Sequence, residues 1–173
     1  MRILGIDPGV ARTGYAIIET QQGKDALSPL RFGCIETSKD EPFFNRLKMI
    51  YAKISDIIEK YNPDVLSIEE LFFCKNVKTA LQVGQARGAI IVAGVNAGLE
   101  IASYTPLEIK LAIVGYGKAS KQQVQFMVKK LLHLEETPKP DDVADALAIA
   151  LCYINRSVPR GKNDRIHRRK VIG

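Results

Sequence analysis

Histidine and cysteine are scarce in this sequence, tryptophan is absent, and no apolar run reaches the length of a membrane span. The three cysteines, Cys34, Cys74 and Cys152, form no CxxC pair, and with two histidines a zinc site is not expected. We expect three reduced thiols. The first residues, MRILGIDPG, do not predict a signal peptide, because their short apolar run ends at Asp7. We therefore expect a cytoplasmic protein without a membrane partner.

The positive charge of the chain is confined to its C-terminal end. The net charge is +6, and residues 156–173 (RSVPRGKNDRIHRRKVIG) hold seven Lys and Arg against one Asp, which accounts for all of it. The composition of residues 1–155 is that of one globular domain. We predict a folded domain over 1–155 and a basic, flexible tail over 156–173. Such a tail suits phosphate contacts, although its charge fits a solubilising terminus equally well.

Hydrophobic periodicity predicts an α/β fold with a mixed sheet flanked by helices. Three N-terminal strands at hairpin spacing can form an antiparallel meander, and the later strands alternate with amphipathic helices, which favours parallel crossovers. Asn62-Pro63 ends the first helix, and Thr105-Pro106 begins a short one. The predicted strands are 3–7, 14–20, 31–37, 64–69 and 101–104. Besides the short helix at Thr105-Pro106, the predicted helices are 44–61, 78–98, 121–132 and one from 141 onward.

Acidic residues stand at unusual places in these elements. Asp7 closes an apolar strand, and Glu69 and Glu70 close a second one. Because side chains alternate along a strand, only one member of the Glu69-Glu70 pair can face a shared site. Asp142 and Asp145 lie about 60° apart around the last helix, so both carboxylates share one face.

Each acid also has a local explanation. Asp-Pro-Gly is a good turn, a glutamate often ends a strand at solvent, and Asp141 suits the start of a helix. Asp145 lies beyond the first turn, where the helix dipole no longer stabilises an acid. Several carboxylates brought together repel one another unless divalent cations compensate them. Oxygen ligands without a histidine or cysteine set indicate Mg²⁺ or Mn²⁺, and two such ions can promote phosphodiester hydrolysis.

Three stretches resemble a known family: LGIDPGVARTGYA (4–16), IEELFFCKNVKTALQVGQARGAI (68–90) and DDVADALAIA (141–150). They are similar to the RuvC-type Holliday junction resolvases, and the resemblance covers most of 1–155. It implies an RNase H-like fold. It also implies that Asp7, Glu69, Asp142 and Asp145 are catalytic, bind two Mg²⁺ ions (with Mn²⁺ as an alternative), and cut four-way DNA junctions by paired symmetric nicks. The products would be a 5′-phosphate and a 3′-hydroxyl.

The resemblance also implies DNA contacts and partners. It places Lys110 and Lys121 near the cut phosphate, and Phe72, with Phe73 as a substitute, against unstacked bases at the junction centre. It implies a homodimer that works with a branch-migration complex of the RuvA-RuvB type. From the residues alone, the lysines suit phosphate contact but fit an ordinary surface better, and the phenylalanines fit base stacking and a core equally well. Further DNA contacts are predicted for Lys75, Lys78, Arg87 and Lys118.

Three other functions fit parts of the sequence. Gly5-Ile6-Asp7-x-Gly9 also resembles the first phosphate motif of actin-like ATPases and sugar kinases, which need a second such domain. Another RNase H-like nuclease, for example one that processes ribosomal RNA precursors, would keep the carboxylates and lose the preference for four-way junctions. A non-catalytic nucleic-acid-binding module leaves the carboxylates unexplained, since they repel phosphate.

Overall fold

The protein is described by a computed structural model over residues 1–20, 27–71 and 77–157. The predicted order of strands and helices is confirmed in this part of the chain. The predicted turn at 22–25, the side chains of Phe72, Phe73 and Lys75, and residues 158–173 lie outside the described residues. The strands are β1 (Arg2–Asp7), β2 (Arg12–Thr20), β3 (Leu27–Glu36), β4 (Val65–Glu69) and β5 (Glu100–Tyr104), and the helices are α1 (Phe43–Tyr61), α2 (Val77–Asn96), α3 (Pro106–Val114), α4 (Lys121–Leu131) and α5 (Asp141–Ser157).

The five strands form one mixed sheet in the order β3-β2-β1-β4-β5. Strands β1, β2 and β3 pair antiparallel, as the predicted meander requires, and β4 and β5 are parallel to β1. Asp7 lies opposite Gly14 on β2, and Ile6 lies beside Ile68 on β4. The C-terminal ends of β1 and β4, with their terminal acids Asp7 and Glu69, therefore meet at one edge of the sheet.

The sheet separates two hydrophobic cores. Helices α1 and α2 cover one face through residues such as Ile54 and Ile90, which pack on Leu4 and Leu66. Helices α3, α4 and α5 cover the other face. Helix α5 is buried on nearly all sides from Val143 onward, as expected for a helix that packs on the sheet and also contacts both α3 and α4.

Two glycines let α5 approach the sheet closely. A Cβ on Gly5 would collide with the carbonyl of Ala146, and a Cβ on Gly14 would collide with the carbonyl of Asp142. The hydroxyl of Ser67 on β4 adds a buried hydrogen bond of 2.9 Å to the carbonyl of Ile149. The backbone of α5 therefore rests directly on three strands, and this contact sets the height of its acidic first turns above the sheet.

Some boundaries differ from those predicted. Strand β3 begins at Leu27 rather than 31, because an edge strand tolerates Pro29 where a central strand would not. Helix α2 ends at Asn96, where the chain turns through Gly98 at a φ of 74°. Helix α5 continues through residues 156–157 of the predicted tail, and Arg156 Nη2 lies 3.1 Å from Glu108 Oε1 on α3. Among the helices of the described ranges, none combines the length and apolarity needed to cross a bilayer.

Candidate active site

Four carboxylates gather where β1, β4 and the start of α5 meet, and we call this group, Asp7, Glu69, Asp142 and Asp145, the acidic edge. Asp7 and Glu69 end neighbouring parallel strands, and α5 brings the two aspartates over them. The charges of the other three carboxylates all act on Asp7. The structure thus brings together the four acids that the sequence singled out.

Burial and mutual repulsion disfavour the ionised form of the carboxyl groups in the acidic edge. Burial, together with repulsion from Glu69, Asp145 and Asp142, raises the pKa of Asp7 from 3.8 to about 8. Burial and repulsion from Asp145 raise the pKa of Glu69 from 4.5 to about 7. Burial also raises the pKa of Asp145, although Lys121 partly offsets it. Full ionisation of this group at neutral pH therefore requires positive charge beside it.

Lys121 supplies one such charge. Its Nζ lies 2.9 Å from Asp145 Oδ2 and 3.4 Å from Asp141 Oδ2. A capping box formed by Ser120 and Gln123 fixes the first turn of α4, where Lys121 is the first residue. Local sequence therefore holds the backbone of Lys121 in place, and its side chain reaches the acidic edge.

Arg12 is a site residue that the sequence reasoning missed. Its Nε lies 3.3 Å from Asp142 Oδ2. This oxygen is buried and has no hydrogen bond, so the contact is an ion pair of poor hydrogen-bond geometry. The signal was available in principle, because an antiparallel hairpin returns the start of β2 to the sheet edge where β1 ends.

Lys110 shares a cavity with the acidic edge. The cavity has a volume of about 260 Å³ and is bordered by Glu69, Asp145, Lys110 and Lys121, with apolar side chains of α3, α4 and α5 completing its wall. The two lysines that the resemblance assigned to the cut phosphate thus lie beside the carboxylates.

The other residues that were predicted to contact DNA lie on different elements of the structure. Lys78 is exposed in the first turn of α2, and Lys118 is exposed in the segment before α4. Arg87 is half-buried, and its guanidinium donates to the backbone carbonyl of Glu69 and to the hydroxyl of Ser103. Phe72, Phe73 and Lys75 are not among the described residues.

The two neighbouring acids stand apart from the acidic edge. Glu70 is exposed, and its backbone N–H donates to the carbonyl of Tyr104 at 2.8 Å. Asp141 is exposed, and the hydrogen bond from Gln125, with the charge of Lys121, lowers its pKa. Side-chain alternation along a strand predicted that only one of Glu69 and Glu70 would face the site, and the structure agrees with this prediction.

The acidic edge fits divalent metal ions in its chemistry. Its donors are carboxylate oxygens, and Asp142 Oδ2 is a buried anionic atom that lacks a hydrogen bond. In the arrangement of the described residues, no three acidic, histidine or cysteine side chains converge on one point that could hold an ion. Lys121 occupies the position beside Asp145 instead, so metal binding would require these side chains to adjust.

Comparisons with known proteins agree with the observed fold. Residues 3–153 match the family model of Crossover junction endodeoxyribonuclease RuvC. The protein of that description from Desulforamulus reducens is 55% identical over 153 residues, which cover 88% of this chain and 93% of the relative. The one from Halothermothrix orenii is 56% identical over 155 residues, covering 90% and 93%. The structure of Thermus thermophilus RuvC in complex with a Holliday junction substrate superposes with a TM-score of 0.86 at 35% identity, over 91% of this chain and 94% of that chain.

The fold and the acidic edge define an RNase H-like nuclease. The chain belongs to the RuvC family of crossover junction endodeoxyribonucleases. This membership confirms the predicted family, fold class and endonuclease activity, and it favours the junction resolvase over the ATP-binding, RNA-processing and non-catalytic alternatives.

Proposed function

We propose that this protein resolves four-way DNA junctions by paired symmetric nicks that leave 5′-phosphate and 3′-hydroxyl ends. The observation that carries the proposal is the gathering of Asp7, Glu69, Asp142 and Asp145 at one edge with Lys110 and Lys121 beside them. The Thermus relative, whose structure contains a Holliday junction substrate, supports the choice of DNA.

Two Mg²⁺ ions, or Mn²⁺ in their place, are the cofactors that this site would take, held by the four carboxylates of the acidic edge. When bound, they supply positive charge that activates a water and stabilises the leaving oxygen. The chain's own residues prepare the site. Arg12 pairs with Asp142, and the ammonium groups of Lys110 and Lys121 lie where they can stabilise negative charge on a phosphate.

A second copy of the chain is the partner that paired cutting requires, and α2 offers it a surface. Leu81, Gly88, Val92 and Val95 follow one another at steps of 7, 4 and 3 residues and form an exposed stripe, which we call the α2 stripe. Leu81, Val92 and Val95 are 65%, 50% and 58% exposed, although all three are apolar. Gly88 has open space where a Cβ would stand, which permits close approach of another helix. The α2 stripe is our candidate for the homodimer interface.

Further contacts belong to the same proposal. Lys75, Lys78 and Lys118 would contact phosphates, and Phe72 or Phe73 would stack on bases at the junction centre. The basic residues that follow α5 in the sequence would add further phosphate contacts. We also propose a cytoplasmic, bacterial location and cooperation with a branch-migration complex of the RuvA-RuvB type, both in line with the bacterial relatives.

A synthetic four-way junction with each strand labelled in turn tests the function. The protein is incubated with it in Mg²⁺ and in EDTA, with linear duplex as competitor. We expect paired nicks at symmetric positions that disappear in EDTA and persist in the presence of duplex. The Asp7→Asn variant should bind the junction and leave it uncut, because it lacks a metal ligand. Equal cutting of linear duplex, or normal cutting by Asp7→Asn, would refute the proposal.

A further inference from the structure

Arg87 of α2 reaches the catalytic end of β4 from the opposite side of the sheet. Its Nε donates to the backbone carbonyl of Glu69 at 3.0 Å, and its Nη2 donates to Ser103 Oγ on β5 at 2.7 Å. We propose that Arg87 is a positioning residue that fixes the backbone at Glu69 and thereby holds the Glu69 carboxylate in the acidic edge. This inference rests on the proposed function, in which Glu69 binds metal.

The end of β4 needs such support. Pairing of β4 with β1 stops at Ile6 and Ile68, one residue before Glu69. On the other side, Glu69 lies beside Tyr104 at the last position of β5. Glu69 thus lies at a strand end, where few ladder hydrogen bonds hold it. A metal ligand must be held within about 0.5 Å of its working position, so a hydrogen bond to its own peptide has a direct effect on the site.

The contact uses properties that arginine alone has. A guanidinium is planar and presents several N–H groups at fixed angles, so one side chain can join two acceptors on different strands. The ammonium of a lysine has the same charge but is a single point that cannot reproduce this fork. Arg87 therefore links α2, β4 and β5 at one place.

Arg87 acts on Glu69 through the main chain. The ionisable groups that alter the pKa of the Glu69 carboxylate, besides burial, are Asp145 and Lys121. Arg87 donates to the carbonyl instead. Loss of Arg87 should therefore alter the placement of the carboxylate more than its protonation.

This role differs from the DNA contact that the sequence predicted for Arg87, and lysine separates the two. A phosphate contact needs mainly positive charge, so Arg87→Lys would keep junction binding and cutting. A positioning role needs both hydrogen bonds of the guanidinium, to the Glu69 carbonyl and to Ser103, so Arg87→Lys would lose this role. Ser103→Ala removes one acceptor of the fork and is a milder second variant that leaves Arg87 and its charge in place.

Arg2 provides a matched control at the far end of β1. Its Nη1 donates to the carbonyl of Tyr61 at 2.7 Å and its Nε donates to Glu19 Oε1 at 2.8 Å, so it too joins a backbone carbonyl to a side chain. Arg2→Lys removes the same kind of fork far from the acidic edge. Any general effect of the substitution on folding appears in this variant as well.

The experiment compares the full-length wild type, Arg87→Lys, Ser103→Ala and Arg2→Lys. The measurements are kcat at saturating junction, the Mg²⁺ concentration for half-maximal rate, junction Kd in EDTA, and thermal unfolding. Binding of Mn²⁺ to the DNA-free protein, followed by electron paramagnetic resonance, adds a readout that needs no cutting.

We expect Arg87→Lys to lower kcat and weaken Mn²⁺ binding by roughly 10- to 100-fold, the usual cost of losing a group that orients a metal ligand. Its junction Kd should stay within about twofold of the wild type. Ser103→Ala should change the same quantities in the same direction by less, and Arg2→Lys should leave kcat and Mn²⁺ binding unchanged.

Two results would overturn the inference. One is normal kcat and Mn²⁺ binding in Arg87→Lys, and the other is an equal loss in Arg2→Lys. Failure of the proposed function looks different, because the wild type itself would then make no paired nicks. The Mn²⁺ measurement would still test the positioning role in that case.

Discussion

At the scale of single residues, the acidic edge is a place where the fold holds carboxylates against their preference. Asp7 and Glu69 have strongly raised pKa values because burial and mutual repulsion both oppose their charge. Catalytic groups commonly lie in such surroundings. Carboxylates arranged to bind a metal ion destabilise the folded protein when the ion is absent, because they repel one another. The cost should be measurable as lost stability of the metal-free protein.

Asp7→Asn should stabilise the metal-free protein at alkaline pH. The pKa of Asp7 is about 8 in the folded chain against 3.8 as the ordinary value. Between these values the folded state holds a proton that the unfolded state has released, so the free energy of unfolding falls as pH rises from about 4 to about 8. Asparagine removes this penalty, and we expect a gain of the order of 5 kcal/mol at pH 9 that vanishes near pH 4.

Urea unfolding in EDTA at a series of pH values measures this gain. Glu59→Gln, which neutralises an exposed acid on α1, serves as the control and should show no comparable trend. A difference between wild type and Asp7→Asn that stays constant with pH would contradict the expected linkage.

The residues of the acidic edge were easier to predict from the sequence than the contacts that Arg12 and Arg87 make with them. Asp7 and the pair Glu69-Glu70 were recognisable because each ends an apolar strand, and Asp142 and Asp145 because helical spacing puts them on one face. The choice of Glu69 over Glu70 came from the family resemblance. The contacts of Arg12 and Arg87 depend on which strand and helix ends meet in space. An arginine in a helix has no sequence pattern that distinguishes a phosphate contact from a hydrogen bond to a carbonyl.

At the scale of secondary structure, the site depends on how closely α5 approaches the sheet. Glycine is unfavourable in a strand because it loses much conformational entropy and packs no side chain. Gly5 and Gly14 occur in adjacent strands directly beneath α5, where any Cβ would strike a helix carbonyl. Because these two glycines have no side chain, the helix that carries Asp142 and Asp145 can lie close to the sheet.

Gly14→Ala should damage cutting by moving the start of α5. The new methyl would collide with the backbone carbonyl of Asp142, which no side-chain rotation can relieve. We expect a loss of stability of about 1–3 kcal/mol, as for overpacked cores, and a fall in kcat of about 10²-fold as Asp142 is displaced. Unfolding and single-turnover cutting are the measurements.

Gly84→Ala is the matched control for this change. A Cβ at Gly84 in α2 would meet only the flexible end of Leu71, and alanine is the better helix former. Its stability should be equal or higher. Gly14→Ala with normal kcat would show that α5 can shift without affecting the acidic edge.

The order of elements was predictable for local reasons, whereas some boundaries were not. Hydrophobic patterning and the helix start at Thr105-Pro106 are local signals, and together they predicted all five strands and five helices of the described residues in the right order. The start of β3 and the end of α5 depend on partners. Strand β3 is extended by pairing with β2, and α5 continues to Ser157 where Arg156 meets Glu108.

At the scale of the whole molecule, the proposed paired cutting needs two chains, and in this proposal the α2 stripe holds them together. Val92→Glu places a charge at the middle of the stripe, where pairing would bury it, so we expect the dimer to dissociate. Sedimentation velocity measures the mass, and labelled junctions should then show single nicks in place of paired ones. Phe126→Glu on α4, where the phenylalanine is 56% exposed, is the control and should remain dimeric. A dimeric Val92→Glu would exclude the α2 stripe as the interface.

The distribution of charge leads to a separate expectation for the end of the chain. Residues 158–173 hold six Lys and Arg and one Asp, while Arg156 of α5 is paired with Glu108 of α3. Ending the chain after Ser157 therefore lowers the net charge from +6 to +1 and keeps the helix. Each phosphate contact that is lost should flatten the slope of log Kd against log salt by about 0.9 and weaken junction binding at low salt. The value of kcat at saturating junction should be unchanged, because the truncation does not alter the acidic edge.

A full-length variant with the six basic residues changed to glutamine separates the effect of charge from the effect of length, and it should behave as the truncation does. Unchanged salt dependence in both variants would show that this segment does not contact the junction.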